Sequence, residues 1–149
     1  MFRTILVPID GSRESKRAAV VATDIAKTYS SKLHFLTVMR PVPTKLSDEM
    51  RHYLEVEHIK GSPEEVVSEG ALYVLNDAEK HARKKGIKAV KTTSEVGHPA
   101  RAIMVYGKAI KADLIVMGRR GLGALEGILM GSVSNKVVSL ADCPVLTVR

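Results

Sequence analysis

Gly118-Arg119-Arg120-Gly121, followed after nine residues by Gly131-Ser132, is the stretch whose residue types and spacing point most directly to chemistry. It follows an apolar run, Asp113-Leu114-Ile115-Val116-Met117, that reads as a buried strand. It ends where a helical pattern opens, Ser132-Val133-Ser134-Asn135-Lys136-Val137. Glycine after a strand lets the backbone turn sharply and lets a ligand approach where a Cβ would clash. A Gly-Ser pair at a helix start offers unsatisfied N–H groups, a hydroxyl and the positive end of the helix dipole. That combination is phosphate-binding chemistry.

The elements around the loop must decide where it sits. Residues 3–9 contain Ile5-Leu6-Val7 and read as a buried parallel strand. Residues 13–29 place Ala18, Val21, Ala22, Ile25, Ala26 and Tyr29 on one helical stripe. Residues 33–38 form a second strand. Residues 40–61 start with Pro41 and Pro43 and turn polar, an irregular excursion with room for a short helix over 46–56. Ser62-Pro63-Glu64-Glu65 opens a helix with a capping-box pair and proline at the first helical position. That helix runs to about Lys85, buries Val67, Ala71, Val74, Leu75, Ala78 and Ala82, and stops at Gly86. Residues 90–96 alternate as an edge strand does. Gly97-His98-Pro99 starts a helix with Ile103, Met104, Gly107 and Ile110 facing inward. The strand 113–117, the helix 132–140 and the strand 145–148 complete the chain.

Strands alternating with helices imply an α/β fold: one doubly wound sheet of five parallel strands with helices on both faces. The expected order is 3-2-1-4-5, with the switch point between the first and fourth strands. Ligands bind there, outside the carboxyl ends of the strands. Those ends are Pro8-Ile9-Asp10-Gly11-Ser12 and Met117-Gly118-Arg119-Arg120-Gly121. The topology therefore sets Asp10 against the glycine loop.

The bulk numbers fit this picture. The length of 149 residues suits one domain spanning 1–149. No apolar run reaches the roughly 18 residues of a membrane span, and residues 1–8 do not read as a signal peptide, so a cytoplasmic location is expected. The one cysteine, Cys143, allows no internal disulfide and no zinc site of its own. A net charge of +7 favours anionic partners in general. An aromatic content of 4% with no Trp argues against a stacking platform for single-stranded nucleic acid.

The loop is not a Walker loop, because no Lys-Ser/Thr follows a suitably spaced glycine. It is not a Rossmann fingerprint, because it follows the fourth strand and carries Glu126 at the third glycine position. It does match Gly-x2-Gly-x9-Gly-Ser/Thr. On that spacing the chain resembles the universal stress protein family, in its ATP-binding subgroup. The likeness extends along the whole chain: Ile5-Leu6-Val7-Pro8-Ile9-Asp10-Gly11-Ser12, Gly97-His98-Pro99-Ala100, Ala112 to Gly118, and the closing Cys143-Pro144-Val145-Leu146-Thr147-Val148.

The resemblance implies an ATP site with Mg²⁺ or Mn²⁺ accompanying the nucleotide. Asp10 would lie near the nucleotide and help hold the cation, with Pro8 and Ile9 shaping the wall beside it and Met117 at the end of the fourth strand. Val38 would present backbone groups and an apolar surface to adenine. Gly118 and Gly121 would admit the ribose and phosphates. Gly131, Ser132, Val133 and Ser134 would donate N–H and hydroxyl groups to the triphosphate. The family pattern leaves 119 and 120 open; a loop arginine, Arg120 above all, could add charge-assisted bonds to phosphate. The resemblance also implies a homodimer, for which the apolar last strand, an exposed edge, offers a surface.

Each of these residues also has a structural reading. Asp10 could cap the first helix or hold the turn, and Ser132 could be a plain N-cap. His98 suits a turn or cap, and His34 a satisfied strand histidine. His52 and His58 sit among Glu55 and Glu57 on what reads as a solvated face. No nucleophile elbow, metal-ligand cluster or dedicated base is evident, so hydrolysis, if any, should be slow. The expected function is a nucleotide-dependent regulator in stress response. The alternatives are a slow ATPase or other phosphoryl-transfer enzyme, and a nucleotide-independent interaction module. Residue pattern alone leaves ATP, ADP, AMP and cyclic dinucleotides open.

Overall fold

The computed structural model describes residues 1–41, 63–122 and 129–149. The short helix expected over 46–56 and the capping serine Ser62 lie outside the described residues. The elements run β1 (Thr4–Pro8), α1 (Arg13–Tyr29), β2 (Lys32–Met39), α2 (Pro63–Lys84), β3 (Val90–Val96), α3 (Pro99–Ala109), β4 (Leu114–Gly118), α4 (Ser132–Leu140) and β5 (Val145–Val148). They form one parallel five-stranded sheet in the order β3-β2-β1-β4-β5. This is the expected order, with β3 and β5 at the edges.

β1 carries no polar alternation because both its faces are covered. Ile5, Leu6 and Val7 are fully buried. Ile5 and Val7 pack with Leu33, Phe35, Leu114 and Val116 under α1 and α2. Leu6 turns to the other face and packs with Leu36, Ile115, Met117, Ile103 and Val137 under α3 and α4. Successive strand residues thus feed two separate cores.

The expected helical stripes are shifted slightly. On α1 the buried residues are Ser15, Ala18, Ala19, Ala22, Thr23 and Ala26, while Tyr29 is exposed and packs edge-on against Phe2 at 5.5 Å. The Thr23 hydroxyl donates to Ala19 O, so this buried polar residue is satisfied within the helix. On α2, Ala71, Leu75, Ala78 and Ala82 are buried, but Val67 is exposed. Small residues dominate both stripes, which lets the helices lie close to the sheet.

The β1–β4 ladder is short: only Ile5↔Leu114 and Leu6↔Ile115 pair, whereas β1 and β2 pair from Thr4 to Pro8. Asp113 N–H donates to Thr4 O and Lys32 N–H to Arg3 O, so even residues of β1 face β4 and odd ones face β2. Pro8 is even and has no N–H to offer, so the ladder cannot continue there. Beyond Leu6 the two strands part. At the opposite end Asp113 fastens them together, its carboxylate accepting from Arg3 N at 2.9 Å and from Thr4 N.

His34 lies on the α3 face of β2, its Nδ1 3.4 Å from the Tyr106 hydroxyl, which is 2.8 Å from Thr93 Oγ1. Burial, then Lys91 and Lys32, hold its pKa below the ordinary 6.5. The folded chain therefore binds this proton more weakly than the unfolded chain. Its contribution is intact above pH 6.5 and is lost as pH falls from there through the folded value. Urea midpoints between pH 7.5 and 5 should fall more steeply for the natural chain than for His34→Gln; equal slopes would contradict this assignment.

Candidate functional site

Where β1 and β4 part, a crevice of about 560 Å³ opens at the carboxyl ends of β1, β2 and β4. Pro8, Ile9, Asp10, Val38, Met117, Gly118, Arg120, Gly121, Gly131, Ser132, Val133 and Ser134 all line it. Segments more than a hundred residues apart in sequence are thus joined on one surface.

Asp10 joins its two sides. Its Oδ1 accepts from Ser12 N at 3.0 Å, holding the turn after β1, and its Oδ2 accepts from Leu122 N at 3.1 Å, holding the glycine loop. The turn carries Gly11 at φ +84°, and the cap of α1 is Ser12, whose hydroxyl accepts from Ser15 N at 3.2 Å. Asp10 therefore stabilises the turn but does not cap the helix.

The glycines serve the protein before any ligand. A Cβ on Gly118 would stand 2.9 Å from Ser15 N and 3.0 Å from the Glu14 carbonyl carbon, so glycine here lets β4 abut the start of α1. A Cβ on Gly121 would stand 2.5 Å from Asp10 Oδ2. These two were expected to be small for the sake of ribose and phosphates; at Gly118 the main chain of α1 already requires it, while at Gly121 an added Cβ would displace the Asp10 carboxylate. Gly131 differs: the nearest described atoms to a Cβ there would be Arg120 Cα, Arg119 O and Gly121 N at 3.4–3.7 Å, ordinary contact distances.

The N-cap of α4 is Gly131, and Ser132 is its first helical residue, so Ser132 is not the cap. The first helical bond runs from Asn135 N to Gly131 O at 2.9 Å. The N–H groups of Ser132, Val133 and Ser134 accordingly have no helical acceptor, and none elsewhere among the described residues. Two expected donors are already used. Gly131 N–H donates to Arg119 O, and the Ser134 hydroxyl donates to Gly118 O, both at 2.9 Å. The Ser132 hydroxyl lies at the exposed surface with no partner among the described residues.

At the other end the wall is apolar: Leu36, Val38, Pro99, Ile103 and Met117, with Arg40 at the rim. Ile9 N–H donates to Leu36 O, so even residues of β2 turn their backbone groups toward β1. Val38 is the next such residue, and β1 has turned away by then. Its N–H and C=O meet no partner on that side among the described residues. Thr37 Oγ1 takes Ile9 O instead, at 2.9 Å.

The paired arginines separate. Arg120 lines the crevice and its Nη2 lies 3.4 Å from Glu14 Oε1; Arg119 does not line it, and its backbone links Val148 O and Gly131 N. His98 occupies the N-cap of α3 without any side-chain cap bond, and no histidine is among the described lining residues. Among the described residues no three His, Cys, Asp or Glu cluster as metal ligands. Sequence reasoning did not select Ser15, Leu36, Arg40, Pro99, Ile103 or Leu122 for the crevice. Pro99 and Ile103 could have been inferred, since a helix that follows β3 begins at the same end of the sheet.

The arrangement has one end of free backbone donors at a helix N-terminus, a chemistry suited to an anion, and one apolar slot edged by free backbone groups. Among its described lining residues Asp10 is the carboxylate, already accepting two backbone N–H bonds.

The chain matches the universal stress protein family model over residues 1–149. It is 36% identical over 149 residues to universal stress protein YxiE of Bacillus subtilis, covering all of both chains. It is 39% identical over 153 residues to a universal stress protein of Thermus aquaticus, again covering both fully. Among solved structures it resembles a universal stress protein in complex with cAMP, with a TM-score of 0.71 and 29% identity over 99% of this chain and 97% of that one. No helix among the described residues is long and apolar enough to cross a membrane. With its full length matched, the sheet order of that fold and the crevice at its switch point, the chain belongs to the universal stress protein family.

Proposed function

We propose that this chain binds an adenine nucleotide in the crevice and acts as a nucleotide-dependent regulator in stress response in the cytoplasm, with ATP as the ligand. The observation that carries the reading is the row of three unpartnered N–H groups at the start of α4, facing an apolar slot across a cavity of about 560 Å³. That volume falls within the range of small-molecule sites. The base enters the slot between Val38 and Ile103, where the Val38 N–H and C=O offer one donor and one acceptor to an adenine edge. The phosphates meet Ser132, Val133 and Ser134. A related protein of 29% identity is described in complex with cAMP, which supports an adenine ligand.

Asp10 is the one described carboxylate on the crevice wall, so a divalent cation, Mg²⁺ or Mn²⁺, is held chiefly by phosphate oxygens with Asp10 beside it. Both Asp10 carboxylate oxygens are engaged by backbone N–H groups, which leaves Asp10 poorly placed to orient water and favours binding over turnover. We further propose a homodimer through β5. Its outer edge is unpaired in the sheet and Leu146 is 39% exposed. Light scattering at micromolar concentration should give twice the chain mass; a monomer would remove that part.

Isothermal titration with ATP and Mg²⁺ tests the reading directly. A saturable heat is expected, and no heat at millimolar nucleotide removes the reading.

A further inference from the structure

Arg120 lines the crevice with its main chain beside the start of α4: a Cβ on Gly131 would lie 3.4 Å from Arg120 Cα. Its guanidinium is nevertheless engaged, with Nη2 3.4 Å from Glu14 Oε1. Glu14 is confined at its main chain. Its backbone and Cβ fill the space that a side chain on Gly118 would need, which fixes the first turn of α1 against the end of β4. Arg120 therefore links the first turn of α1 to the crevice in which an anionic tail would lie. The pair is partly solvated, with Arg120 32% and Glu14 20% exposed, so it is weak enough to exchange.

We infer that Glu14 is an internal competitor for Arg120, and that this exchange makes the crevice respond to the length of a ligand's phosphate tail. The inference rests on the nucleotide reading above. A monophosphate is satisfied by the α4 donors alone. A di- or triphosphate extends its charge to Arg120 and draws the guanidinium from Glu14, because a phosphate accepts two parallel N–H bonds from arginine. Affinity for the longer tails is then lowered by the fraction of Arg120 that Glu14 holds. Glu14 acts on ligand choice through Arg120 and touches no ligand itself, so it is a positioning residue.

The test is calorimetric titration of the full chain with AMP, ADP and ATP, each with Mg²⁺, in the natural chain, Glu14→Gln, Arg120→Gln and the double variant. Glu14→Gln should bind ADP and ATP about two- to fivefold more tightly, the equivalent of a partly exposed ion pair, and AMP unchanged. In the Arg120→Gln background the same change should have no effect. Glu14→Asp keeps the charge but shortens the reach, and should reproduce part of the gain, which covers the case in which Glu14→Gln folds poorly. The inference is overturned if all three nucleotides shift equally, if the gain persists without Arg120, or if Glu14→Gln changes nothing. The first two patterns would mark simple removal of a nearby negative charge. If the natural chain binds none of the three, the nucleotide reading itself falls and takes the inference with it.

Discussion

Gly118→Ala should lower stability by about 1–3 kcal/mol, although the substitution adds a single methyl group. The added carbon would stand 2.9 Å from Ser15 N and 3.0 Å from two Glu14 carbons. Two of those obstacles are backbone, and they belong to a helix start already fixed by the Ser12 cap and by Asp10. Relief would require α1 to lift from β4, opening the core that holds Ala18, Ala22 and Val116. The measurement is a urea or thermal unfolding curve compared with that of the natural chain. A melting temperature within a degree of the natural one would show that the strand end and helix are not so closely apposed.

Gly131→Val should have the opposite profile: binding lost, fold kept. The position has φ −69° and ordinary spacing around an added Cβ, so the backbone accepts a side chain. The cost to the fold is that of a poorer N-cap, about 1 kcal/mol. The branched side chain, however, would cover the N–H groups of Ser132 and Val133. Losing two hydrogen bonds to a charged phosphate, each worth about 1.5–3 kcal/mol, corresponds to at least a hundredfold weaker nucleotide binding. Calorimetry and a melting curve on the same sample check both halves. Near-natural affinity would place the phosphates elsewhere.

These two glycines show where the sequence was informative and where it was not. Spacing placed both on the crevice, but only atomic neighbours distinguish Gly118, small for the sake of α1, from Gly131, which has space beside it. Strand order followed from the β-α alternation, because parallel strands require crossovers of one hand. The apolar run at Ile5-Leu6-Val7 reported burial on two faces for the same reason. Hydrogen-bond commitments were not legible: nothing in residue types says that the Ser134 hydroxyl takes Gly118 O or that Gly131 N–H takes Arg119 O. Val38 could be reached only through the family resemblance. The parity of its backbone depends on register, which an apolar strand pattern leaves unstated. Tyr29 and Val67 fell outside the buried stripes because tight helix–sheet packing admits alanines more readily than larger side chains.

The parting of β1 and β4 after only two paired residues gives the crevice an origin in the main chain. A proline ends one ladder, and the void follows from strand divergence, independent of which side chains face it. Exposed wall positions such as Arg40 and Leu122 are then free to vary in size and charge while the hollow persists. A scaffold of this kind can acquire new ligand preferences by changing its lining, with its foundations left in place.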